Sequence, residues 1–151
     1  MDPKVPPHSD EAEISVLGSI LIDPDAIIAV AEFLRPEHFY SDAHSQIFKA
    51  ILELYEDRSP IDIVTLADKL KKNHDLTTVG GSGYLADLVN KVPSSANAEK
   101  YGQIIKDLWV KRQLIRSSAK IAEISFDEGM EANEALDRAE MEIYILVVVH
   151  N

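Results

Sequence analysis

The stretch from Asn97 to Phe126, NAEKYGQIIKDLWVKRQLIRSSAKIAEISF, decides the fold. It holds no proline and a single glycine, Gly102. Proline breaks helix interiors and glycine weakens them, so the stretch is predicted to run as one long helix. Its apolar positions form two stripes. The first steps through Tyr101, Ile105, Leu108, Arg112, Ile115, Ala119, Ala122 and Phe126 in alternating threes and fours, the spacing of a coiled-coil seam. The second runs Val110, Leu114, Ser117, Ile121, Ile124. Two adjacent seams on one helix are more apolar surface than one partner helix covers.

Downstream, Gly129 marks a turn, and Ala132, Leu136, Ala139, Ile143 and Leu146 repeat the alternating spacing. Charge supports pairing of the two arms. From Asn97 to Ile124 there are six bases and three acids; from Asp127 to the end there are one base and seven acids. A basic arm beside an acidic one favours antiparallel pairing, although each exposed ion pair contributes only about 0–1 kcal/mol. Apolar burial dominates. An antiparallel helical hairpin is therefore expected over residues 96–146. Val147-Val148-Val149 ends a helix pattern poorly, so residues 147–151 are expected to be a separate tail, explained by a chain that continues or by an artificial addition.

Upstream, the chain is heavily punctuated. All seven prolines, Pro3 to Pro93, precede the long helix. Ser9 or Asp10 caps a helix carrying Ile14, Leu17 and Leu21, with Asp10 and Glu13 spaced as a capping box. Asp23-Pro24 opens a second helix, with Ile27, Val30, Ala31 and Leu34 at helical spacing. Ser41 or Asp42 opens a third, with Ile47, Phe48, Ile51 and Leu54. Asp62 caps a fourth, with Ile63, Leu66 and Leu70. Gly80-Gly81-Ser82-Gly83 turns the chain into a helix carrying Tyr84, Leu85 and Leu88. No period-two alternation is sustained, so no sheet is expected. The expected class is all-α: a disordered segment at 1–8, a globular multi-helix head at 9–95, and a protruding antiparallel hairpin.

Composition narrows the function. Fifteen Lys and Arg against 26 Asp and Glu give a net charge of −11, which disfavours non-specific nucleic-acid binding. The chain contains no cysteine, which excludes disulfides and thiolate metal sites. No apolar run reaches the length of a membrane-spanning helix, and no membrane partner is expected. Gly80-Gly81-Ser82-Gly83 lacks the Lys-Ser or Lys-Thr of a phosphate-binding loop and reads as a plain turn. Glu37, His38 and His44 lack the paired spacing of metal ligands, and the histidines are read as loop, surface or packing residues. The first-turn acids Glu11 and Glu13, and the pair Asp23 and Asp25, read as helix-dipole partners rather than catalytic carboxylates. No catalytic, cofactor or metal site is expected. The alternative to a protein-binding module is a helical DNA-contacting module that uses Lys106, Lys111, Arg112 and Arg116 of the basic arm beside Tyr101 and Trp109.

The ordered motifs carry a resemblance. Pro6-Pro7, Glu11-Ala12-Glu13, Val16-Leu17-Gly18, Asp23-Pro24, Pro36-Glu37-His38-Phe39-Tyr40, Pro60-Ile61-Asp62-Ile63-Val64-Thr65, Gly80-Gly81 with Tyr84-Leu85, and Val92-Pro93-Ser94-Ser95-Ala96-Asn97-Ala98 resemble the start of bacterial DnaB-type replicative DNA helicases. The resemblance implies an N-terminal domain whose hairpins pair between subunits. In that family six such domains form a trimer-of-dimers collar on a hexameric ring, where DnaG-type primase docks through its C-terminal domain. It also implies that ATP and magnesium belong to a motor domain absent here, that this chain is not itself an enzyme, and that the setting is bacterial cytoplasm. Leu108, Ile115, Leu136, Ala139 and Ile143 are expected to serve hairpin closure and pairing, with the partner-facing seam left open. Glu11, Tyr84, Ile115 and Ile121 match the family's primase contacts.

Overall fold

The computed structural model describes residues 5–150. The described residues form seven α-helices and one short 3-10 turn: α1 (Asp10–Ile22), α2 (Ala26–Val30), the turn Pro36–His38, α3 (Asp42–Glu56), α4 (Ile63–Lys72), α5 (Gly81–Asn90), α6 (Ala98–Phe126) and α7 (Ala132–His150). The chain divides into two compact units, one of residues 8–106 and one of residue 107 onward together with the segment up to Pro7. The opening of α6 belongs to the first unit and the rest to the second.

The first unit is built around α1. Ser9 caps it, its side chain accepting from the Ala12 amide at 3.1 Å. The expected Asp10–Glu13 capping box does not form, because Ser9 takes the cap and Glu13 is turned into the core. Ala12, Val16, Leu17 and Ile20 are buried, and so is Gly18. A methyl group at Gly18 would collide with the Leu88 carbonyl oxygen and the Val92 side chain, so glycine is what lets α1 and α5 pack this closely.

Amphipathic spacing places the other helices. Ser41 caps α3, which buries His44, Ile47, Phe48, Ile51 and Leu54. Asp62 and Thr65 form a reciprocal capping box on α4, which buries Leu66 and Leu70. Gly80, at φ 109°, supplies the left-handed conformation that opens α5. Gly81 to Gly83, expected in the turn, already lie in its first helical turn. The second helix is shorter than expected. Asp23 accepts from the Asp25 amide at 3.1 Å and bends the chain first, and turns replace the helix from Ala31 onward.

In the second unit, α6 and α7 are joined by a tight turn in which the Asp127 side chain accepts from the Gly129 amide at 2.9 Å. A connection this short makes the helices antiparallel neighbours. The helix of α7 continues through Val147–Val149 to His150, where a separate tail was expected. The expected unstructured segment through His8 also differs. The Arg112 guanidinium donates to the Pro7 carbonyl at 2.8 Å. His8 stacks on Tyr40 with ring centroids 4.1 Å apart. The part of that segment before Val5 lies outside the described residues, as does Asn151 of the expected tail.

Candidate functional site

Two sites emerge, one in each unit. In the first, α1, α3 and α5 each contribute one polar side chain to a buried chain of hydrogen bonds. Glu13 is 2% exposed and His44 is 3% exposed. The Glu13 carboxylate accepts from the Tyr40 amide at 2.8 Å, from the Ser41 amide at 3.3 Å and from His44 Nδ1 at 2.8 Å. His44 Nε2 lies 2.6 Å from the Tyr84 hydroxyl. A carboxylate accepts, so Nδ1 carries the hydrogen; this tautomer is assigned from the network. In the neutral ring Nε2 then accepts and the tyrosine hydroxyl donates. The two rings stack at 15° with centroids 5.9 Å apart.

Tyr84 is the half-buried end of this chain. Burial first, and then the charges of Asp10, Glu13 and Asp87, push its phenol above the ordinary value of 10.0. Its hydroxyl therefore keeps its proton and, opposite a neutral His44 ring, donates it to Nε2. Glu11, on the first turn of α1, is exposed. Among the described residues, no three His, Asp or Glu side chains gather as metal ligands.

Sequence reasoning missed Glu13 and His44 as a pair. It assigned Glu13 to a cap and His44 to a loop, a helix surface or packing. A signal was present. His44 precedes Ile47, Phe48 and Ile51 by three, four and seven residues, so it shares their buried face. Glu13 precedes Val16, Leu17 and Ile20 by the same steps.

In the second unit the inner stripe of α6 is Val110, Gln113, Ser117, Ile121 and Ile124, with Ser117 and Ile124 buried. This is the second of the two sequence seams, with Gln113 in place of Leu114, which is exposed. On α7 the half-buried stripe is Ala135, Ala139, Glu142 and Leu146. A cavity of about 440 Å³ near the turn is lined by Ile121, Ile124, Ala135, Leu136 and Ala139, among others.

The continuation of the first seam faces outward. Ile115 is 54% exposed and Phe126 is 86% exposed. On α7, Leu136 is 67% and Ile143 is 39% exposed, and Tyr144 and Val147 are also open. Of the residues expected in hairpin closure and pairing, Ala139 thus lies on the inner stripe and Leu108 is half-buried, Ile115 and Ile143 are exposed, and Leu136 borders the cavity while most of its surface is open. Of the expected primase contacts, Glu11 and Tyr84 belong to the first unit, and Ile115 and Ile121 to the second. Ile121 is half-buried. Of the basic side chains on the first arm, Lys111, Arg116 and Lys120 are exposed, whereas Arg112 holds Pro7. No described helix is long and apolar enough to cross a membrane.

This arrangement has relatives. Residues 5–107 match the family model described as the DnaB-like helicase N terminal domain. The chain is 39% identical over 140 residues to the replicative DNA helicase DnaB of Geobacillus stearothermophilus, covering 93% of this chain and 31% of that protein. It is 40% identical over 143 residues to the DnaB of Treponema pallidum, covering 95% and 33%. The chain thus spans about a third of the length of these curated relatives. Among solved structures, the N-terminal domain of DnaB helicase from Mycobacterium tuberculosis aligns with a TM-score of 0.88 at 39% identity, covering 93% of this chain and 99% of that one. A DnaB-like replicative helicase studied for its interactions with primase aligns with a TM-score of 0.77 at 26% identity, covering 93% of this chain and 31% of that one. With this helical fold, this family match and these identities, the chain belongs to the N-terminal domain family of the DnaB-like replicative helicases.

Proposed function

We propose that this chain is the non-catalytic assembly and docking part of a bacterial replicative DNA helicase. Its hairpin units pair between subunits, six copies form a trimer-of-dimers collar on a hexameric ring, and a DnaG-type primase docks on the collar through its C-terminal domain. ATP and magnesium serve a motor domain of the parent helicase, outside this chain. The setting is the bacterial cytoplasm, alongside the replication machinery.

The observation that carries this reading is the set of exposed apolar side chains on the second unit. Ile115, Phe126, Leu136 and Ile143 are large apolar side chains left open to water, and α7 buries none of its residues. Covering a fully exposed side chain of this size gains about 1.5–3 kcal/mol, and each of these gains the share of that which its exposure leaves. A second copy presenting the same face is the partner a two-fold pairing requires. The similar helicase studied with primase supports the docking half of the reading.

Light scattering across a concentration series, with and without a primase C-terminal domain, tests it. Self-association and a heavier complex with the primase domain are expected. A strict monomer that forms no complex contradicts the reading.

A further inference from the structure

The Glu13–His44–Tyr84 chain lies in the first unit and has no part in the apolar hairpin face. Its two inner members are closed to solvent, so no partner can touch them. Burying a carboxylate is costly unless its oxygens are bonded, and here both oxygens are. Apolar residues of similar volume hold a core together as well as a buried polar pair or better. What apolar residues cannot do is fix a half-exposed tyrosine by its hydroxyl. Three helices converge on that one task.

We propose that Glu13 and His44 are positioning residues for partner docking: they hold the Tyr84 hydroxyl inside the head, so that a docking protein meets the Tyr84 ring beside the Asp10 and Asp87 carboxylates and answers it with a basic side chain. The proposal rests on the docking function above. With a neutral His44 ring the Tyr84 hydroxyl donates its proton to Nε2, so the tyrosine offers a partner its ring and an acceptor oxygen and no donor. Asp87 lies three residues after Tyr84 on α5 and is exposed, as is Asp10 at the start of α1, and carboxylates beside an aromatic ring suit a lysine or arginine, which both the charges and the ring attract.

A double-mutant cycle on the full chain tests this, with the primase C-terminal domain as probe and all variants kept at a temperature where they are folded. His44→Ala lowers affinity about tenfold although His44 is buried, and in a Tyr84→Phe background it costs nothing further. If His44→Ala does not fold, His44→Leu fills the same space and gives the same pattern. Affinity falls as salt rises. Additive losses would show that His44 supports only the fold and would overturn the proposal; a salt-independent affinity would overturn the basic partner. Nitrogen NMR of the imidazole supplies an arm that needs no partner. Nδ1 is protonated, Nε2 accepts, and Tyr84→Phe moves the Nε2 signal alone; an unmoved Nε2 removes the anchor and the proposal with it. If the unaltered chain does not bind the primase domain while Nε2 responds, the docking reading fails and the anchoring of Tyr84 stands.

Discussion

Glu13 keeps its place in an apolar core because it collects three donors. It joins the start of α3 to α1 through the amides of Tyr40 and Ser41, and through His44 it reaches α5. Glu13→Ala leaves those donors without their acceptor, and chemical denaturation of the variant should show a loss of about 3–5 kcal/mol. Tyr84 adds a pH dependence. Its phenol is raised in the folded state, so the folded chain holds that proton more tightly than the unfolded chain does. The associated stability is complete below 10.0 and is lost as pH climbs through the higher folded value. Unfolding measured from neutral to strongly alkaline pH should therefore show the stability gap between the unaltered chain and Tyr84→Phe narrowing above that point. The helix pattern placed Tyr84 correctly on a helix after the glycine turn. The anchor behind it was not legible, because the contact joins residues 31 and 40 positions apart in sequence, which no local spacing encodes.

At the level of elements, local chemistry was the readable part. Ser9, Ser41 and Asp62 all cap helices where their side-chain oxygens predicted. The close packing of α1 on α5 depends on Gly18. Gly18→Ala forces the helices apart, and thermal or chemical unfolding should register about 1–3 kcal/mol of lost stability. In the hairpin, periodicity found both seams but could not rank them, because both are apolar and they run side by side. Packing ranks them. Ser117, a small side chain, is buried on the inner stripe, and the bulkier Ile115 and Phe126 are left outside. Ile124, buried beside the turn, should then carry hairpin stability. Ile124→Ala is expected to cost about 2–5 kcal/mol there, seen as faster amide exchange confined to the second unit.

At the level of the whole molecule, the two units divide the work. One encloses a core with a polar anchor near its surface, and the other leaves many large apolar side chains uncovered. The net charge of −11 argued against nucleic acid from the start and agrees with protein partners. The all-α class and the hairpin were legible because helices and short turns are written in local spacing. That one apolar seam would be left over was legible too; which seam stays open was not, because exposure is a property of packed helices and not of one stripe. The central claim is that the exposed apolar side chains of the second unit join copies of the chain. Sedimentation equilibrium over a wide concentration range, run on the unaltered chain beside Leu136→Asp, is the decisive measurement, because Leu136 is largely exposed and lies off the half-buried stripe of α7. The unaltered chain is expected to pass from monomer to dimer as concentration rises, while Leu136→Asp stays folded and shifts that transition at least tenfold higher. An unaltered chain that remains monomeric throughout, or a Leu136→Asp variant that associates equally well, would contradict it.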